Sequence, residues 1–134
     1  MTHTDTELPE RDMDKSVFAD ILSEIDGVCP GFEAAVFYDK EGETIDYHSY
    51  LDPYDTRLVA AHLGVVAFFA SQKMSGKRWG DINFMEISGT IRDSITVSMG
   101  DGLFISVMVK SGHLNRAVHR KIHAVIAKLK NEIG

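Results

Sequence analysis

Residues 58–71, LVAAHLGVVAFFAS, carry no formal charge in a 134-residue chain of which 25% is charged. Arg57 stands before the run, and Gln72 and Lys73 follow it. Turned at about 100° per residue, the run is a helix with two unlike faces. Leu58, Val65, Val66, Phe68 and Phe69 form a broad bulky face, and Ala60, Gly64, Ala67 and Ser71 form a narrow line opposite. A line of small side chains lets another backbone approach closely. The expectation is that the bulky face rests on the chain's own sheet and the small line meets the same helix of a second copy. A two-fold contact places one patch against itself, and large uncovered apolar patches are uncommon on monomers. The other reading, a helix buried all round within one chain, asks for more cover than two further amphipathic helices supply. The run is shorter than the roughly 20 apolar residues of a bilayer span and is interrupted by His62, so no membrane insertion is expected. His62 itself is expected to be partly buried, toward the bulky side.

Working outward, the composition is that of one globular domain, 44% hydrophobic with a single cysteine, so no internal disulfide forms. The start, MTHTDTELPERDMD, has neither the basic opening nor the apolar run of a secretory signal, and a reducing cytoplasm is the expected location. Charge is unevenly spread. Residues 1–57 hold 15 acidic and 4 basic side chains, while residues 58–134 hold 10 basic and 5 acidic. A net charge of −6 argues against nucleic acid as a partner, since that selects for basic surfaces.

Residues 1–12 lack periodicity and read as a disordered acidic tail, leaving 13–134 as the domain. Val17, Phe18, Ile21, Leu22, Ile25 and Val28 recur at helical spacing, with Asp12 or Asp14 as the expected cap and Gly27, Pro30 and Gly31 as the stop. FEAAVFY and ETIDYHSY are strand-like runs joined by Asp39-Lys40-Glu41-Gly42, a hairpin. Asp55 is the expected cap of the uncharged helix. Three further strands follow, 81–88, 90–99 and 103–110, separated by Gly89 and by Gly100-Asp101-Gly102. The last helix carries an apolar stripe of Leu114, Val118, Ile122, Val125, Ile126, Leu129 and Ile133. The order αββαβββα with tight turns predicts an α+β sandwich: a five-stranded antiparallel sheet with helices on both faces.

DKEGETID at the hairpin turn, the Ala-rich LVAAHLGVVAFFASQ helix, the Gly-Asp-Gly turn before LFISVMV and the Leu-Asn start of the last helix resemble the roadblock/dynein light chain family, in particular its bacterial MglB-type members, over about residues 15–132. The resemblance implies a roadblock/profilin-like fold and a homodimer formed through the second helix and the edge strand after it, here 81–88, with Phe84, Met85 and Ile87 in the interface beside Ala60, Gly64, Ala67, Phe68 and Ser71. It further implies binding of a small Ras-like GTPase, whose hydrolysis bacterial members of this type can stimulate.

Catalytic signatures are lacking in the sequence. Gly76-Lys77 is followed by Arg78 rather than Ser or Thr, with no glycine five residues before Gly76, so it is not a P-loop. Cys29, before Pro30 at the end of an apolar helix, reads as a buried inert thiol. His119 and His123 share a helix face, but Arg116, Arg120 and Lys130 surround them and disfavour a divalent metal. No metal and no cofactor are expected. That basic face reads first as a solvated surface, and second as a site for an acidic partner. Arg57 and the cluster Lys73, Lys77, Arg78 and Trp79 flank the uncharged helix and are the expected partner-binding residues, Trp and Arg being favoured at interface centres. The expected function is a non-enzymatic, homodimeric regulatory or scaffold module for a small GTPase. The alternative is a small-molecule sensory domain of similar build with a pocket between sheet and helix.

Overall fold

Helix α1 (Val17–Asp26) starts at Ser16, whose hydroxyl accepts from the Phe18 N–H. Neither Asp12 nor Asp14 caps it, because the Asp12 carboxylate is drawn to Arg57 and to the Tyr47 hydroxyl. The computed structural model describes residues 7–76 and 78–134. Strands β1 (Phe32–Asp39) and β2 (Thr44–Ser49) form the expected hairpin, with Gly42 at φ 82° in its turn, a conformation that favours glycine. Helix α2 (Pro53–Ser75) follows, capped by Asp52 rather than Asp55: the Asp52 side chain accepts from the Asp55 N–H, and Pro53 opens the helix. Then come β3 (Phe84–Ser88), β4 (Arg92–Gly100), β5 (Leu103–Lys110) and α3 (Arg116–Ile133), the last capped by the Asn115 side chain.

The strands lie in the order β2-β1-β5-β4-β3, all antiparallel, so β2 and β3 are the edges. On one side of the sheet α1 and α3 enclose the larger core, where Phe32, Phe37, Ile95, Ile105 and Val107 meet Leu22, Ile25, Ile122, Val125 and Leu129. Cys29 is buried in this core, and that burial pushes its thiol pKa up. Ile133, expected in the α3 stripe, is 49% exposed at the helix end, and Leu114 packs from before the helix begins. On the other side, α2 covers a smaller cluster of Ala34, Val36, Tyr38, Tyr47, Ala60 and Met108. That layer carries buried hydroxyls that satisfy one another: Ser106 Oγ lies 2.7 Å from Tyr38 Oη and 2.8 Å from Thr96 Oγ1. Burial pushes the Tyr38 phenol above its ordinary range, against the opposing hydrogen bonds from Ser106 and Thr96.

The disordered tail is expected over residues 1–12. Residues 1–6 lie outside the described residues, but Arg11 and Asp12 are tied to the domain through Asp46, Tyr47 and Arg57. Asp46 is the hub of this corner. It is fully buried and receives the Ser16 N–H and hydroxyl, the Ala19 N–H, the Tyr47 N–H and the Arg11 guanidinium. Burial pushes its pKa up, but these donors outweigh that and hold the carboxyl below the usual range.

Candidate dimer and partner-binding surface

The two faces of α2 are the reverse of the expectation. Ala60 is 1% and Ala67 7% exposed, against the chain's own sheet. A Cβ on Gly64 would sit 2.7 Å from Tyr38 Cε2, so helix and sheet are in close contact at this glycine. Ser71, on the same line, is half-buried. The small line is therefore spent on intramolecular packing, and Ala60, Gly64 and Ala67 are not available as a seam between copies. The physical reason is the sheet beneath: Tyr38 and Phe104 stack there with ring centroids 5.7 Å apart, filling the space a larger helix side chain would need. The bulky side faces outward instead, with Val65 66%, Phe69 59% and Phe68 50% exposed beside Leu58, Val59 and Val66. His62 is exposed as well, not partly buried. By length and composition α2 is apolar enough to cross a bilayer, although one side of it lies on the sheet.

Strand β3 is the sheet edge, as expected, but its side chains divide between the two faces. Met85 pairs with Thr96 and Ile87 with Ser94, which places both on the α2 side of the sheet. Phe84 and Glu86 lie on the α3 side, where Glu86 Oε1 is 2.6 Å from His119 Nε2 and the Phe84 and His119 rings meet edge to face at 5.7 Å. His119 is thus engaged with β3 rather than with His123. Among the described residues no group of three His, Cys, Asp or Glu side chains could hold a metal ion.

Of the expected partner-binding residues, Arg57 is bound by Asp12, and its buried Nε has no hydrogen-bond partner among the described residues. Lys73 Nζ lies 5.2 Å over the Phe69 ring, within cation–π range. Arg78 is exposed and Trp79 is 76% exposed, while Lys77 lies outside the described residues. Trp79 shares a surface hollow of about 400 Å³ with Met74, Phe84 and Met85. The structure therefore joins the Trp79 loop to the β3 edge and Lys73 to the outer face of α2. It leaves Arg57 apart, about 24 Å away along a helix rising roughly 1.5 Å per residue. Sequence reasoning missed Val59 on the outer face, and Arg11 and Asp46 altogether. The signal for the helix was Gly64 between Ala60 and Ala67, opposite strands bearing Ala34, Thr96 and Ser106.

No family model matches the sequence, and no curated protein matches it. Solved structures do. The chain is similar to a Roadblock/LC7 domain from Streptomyces avermitilis, with a TM-score of 0.76 at 15% identity over 86% of this chain and 96% of that one. It is similar to Myxococcus xanthus MglB, with a TM-score of 0.75 at 12% identity over 90% and 98%. An MglB with a tetrameric arrangement aligns with a TM-score of 0.74 at 11% identity over 90% and 94%. The αββαβββα chain, with its β2-β1-β5-β4-β3 sheet between α2 and the α1/α3 pair, has the Roadblock/LC7 fold.

Proposed function

We propose that this chain is a homodimeric regulatory or scaffold module without a catalytic centre of its own, and that its pair receives a small Ras-like GTPase in the cytoplasm. The observation that carries the reading is the outer face of α2: Leu58, Val59, Val65, Val66, Phe68 and Phe69 stand together, each at least 41% exposed. An apolar surface of that kind is covered in a working protein. The occupant is the same face of a second copy, flanked by the open β3 edge with Met85 and Ile87. Antiparallel pairing brings the start of one α2 near the end of the other, so each end of the ridge combines residues of both copies. Lys73, Arg78 and Trp79, with Arg57, then form a cationic rim suited to a nucleotide-loaded GTPase with acidic switch segments. The alternative, a ligand-sensing domain, has less support: the hollow beside the start of α2, about 430 Å³, is a surface feature lined by Leu51, Thr56, Arg92 and Met108.

Light scattering on a sizing column tests the pairing, with Val65→Glu as the variant that breaks it. A wild-type chain at single-chain mass under concentrated conditions sinks the homodimer. Titration of a GTPase loaded with GDP or a GTP analogue tests the partner. Binding is expected to need the pair, to weaken with salt, and to favour one nucleotide state, because only differential contact shifts an equilibrium. Undiminished binding by a Lys73→Glu, Arg78→Glu, Trp79→Ala variant moves the site off this rim.

A further inference from the structure

The sheet has two edge strands, and their outer sides are finished differently. Along β3 no side chain among the described residues is hydrogen-bonded to the backbone of Phe84–Ser88. Along β2 the middle of the edge is taken. The Tyr47 C=O accepts from Arg11 Nη1 at 2.8 Å, and the Tyr47 N–H donates to Asp46 Oδ1 at 2.8 Å. In an antiparallel ladder alternate residues turn both backbone groups toward the same neighbour, so Tyr47 is a residue that would receive an added strand. The groups it would use are already spent.

The segment that spends them is firmly seated. The Arg11 guanidinium lies 4.2 Å over the Tyr47 ring centroid, pairs with the buried Asp46 and donates from Nε to the Met13 C=O at 3.2 Å. The Asp12 N–H donates to Tyr47 Oη at 3.2 Å, and the Tyr47 hydroxyl to Asp12 Oδ1 at 3.0 Å. The other Asp12 oxygen holds Arg57 at the start of α2. Two consecutive side chains thus clip the edge strand, the buried carboxylate and the helix above into one unit. Covering an edge with a charged segment is an established way for sheets to avoid unwanted strand addition.

We propose that Arg11 and Asp12 guard a latent strand-docking edge on β2, whose occupant when exposed is a strand of a further copy of this chain. Resting on the pairing read above, the guard has a definite effect on assembly. A pair joined at β3 carries a β2 edge at each end of its combined sheet. With both ends clipped, growth stops at two. With them open, the contact is no longer closed and copies add in sequence.

Sedimentation velocity over a concentration series, with Arg11→Met, tests this. The substitution keeps an apolar stem over the Tyr47 ring but removes the donors to Tyr47 and Asp46. Asp46 keeps its bonds from Ser16, Ala19 and Tyr47, so the variant is expected to fold. The wild type is expected to stop at two chains, while Arg11→Met reaches species of four chains and above as concentration rises. Amide exchange over residues 44–49 should be faster in the dilute variant and slow again once it assembles. A folded variant whose mass follows the wild type at every concentration overturns the guard. A single-chain wild type whose variant nevertheless associates through 44–49 sinks the pairing and keeps the guard. Should Arg11→Met not fold, Arg11→Gln, which loses the charge that pairs with Asp46 and the reach to the Tyr47 C=O, is read by the same two outcomes.

Discussion

The two sides of the sheet are closed in opposite ways. Beneath α1 and α3 the core is deep and dry, built from Phe32, Phe37, Ile105, Ile122 and Leu129, all at most 1% exposed. Beneath α2 it is thin, made of alanines, a glycine contact and a chain of hydroxyls, with the helix's own large side chains pointing away. One side holds the chain together. The other is a platform that carries an apolar helix at a fixed height, and it spends its hydrophobic surface outward.

Substitutions separate these roles, beginning with the largest effect. Val125→Asp puts a carboxylate at a fully buried α3 position and should prevent folding or cost about 3–5 kcal/mol by chemical denaturation. Asp46→Ala, which orphans Arg11 and unbinds the start of α1, should cost about 2–4 kcal/mol. The same carboxylate sets an acid limit. Its folded pKa lies below the unfolded value, so its contribution is present above the ordinary Asp range near 3.9 and is lost as pH falls through the folded value. The wild type should therefore lose stability in acid more steeply than Asp46→Ala, measured by denaturation midpoint against pH.

On the α2 side, Gly64→Leu should cost about 1–3 kcal/mol or more, since even its Cβ meets the stacked, buried Tyr38 ring. A Gly64→Leu chain as stable as wild type would mean that helix and sheet are not in close contact there. Val65→Glu, one position on but facing out, should leave single-chain stability within about 0.5 kcal/mol and act on self-association alone. If it damages the fold as much as Gly64→Leu does, the distinction between platform and core fails. Arg120→Glu, on the exposed crest of α3, should change stability by less than about 0.5 kcal/mol.

Element order and the antiparallel sheet were legible in the sequence because turn residues and runs of aromatic and β-branched residues are local signals, whereas the β3 edge was implied only by the family resemblance. The orientation of α2 was not. Both faces of that helix are apolar, so hydrophobicity alone cannot say which one touches the sheet. Size decides it: bulky side chains suit a deep groove, whereas the strands under α2 already carry Tyr38, Phe104 and Met108, and only a small-residue line fits on top. The clip at Arg11 and Asp12 was hidden for another reason. Its partners Asp46, Tyr47 and Arg57 stand 35–45 positions away along the chain, and an acidic, aperiodic start has no pattern that foretells a pairing at that range.

The placement of β1 and β5 side by side at the sheet centre has a consequence for how the chain reaches this state. Phe37 and Ile105 face each other there although about seventy residues separate them, a separation that makes closure entropically slow. The hairpins β1–β2 and β4–β5 are local pairings, but neither covers an apolar face until they dock. The covering helix α3 follows all five strands along the chain. Until its inner stripe arrives, the strands that become the deepest part of the molecule are wet on that side, so a nascent chain is most open to aggregation between the synthesis of β5 and that of α3.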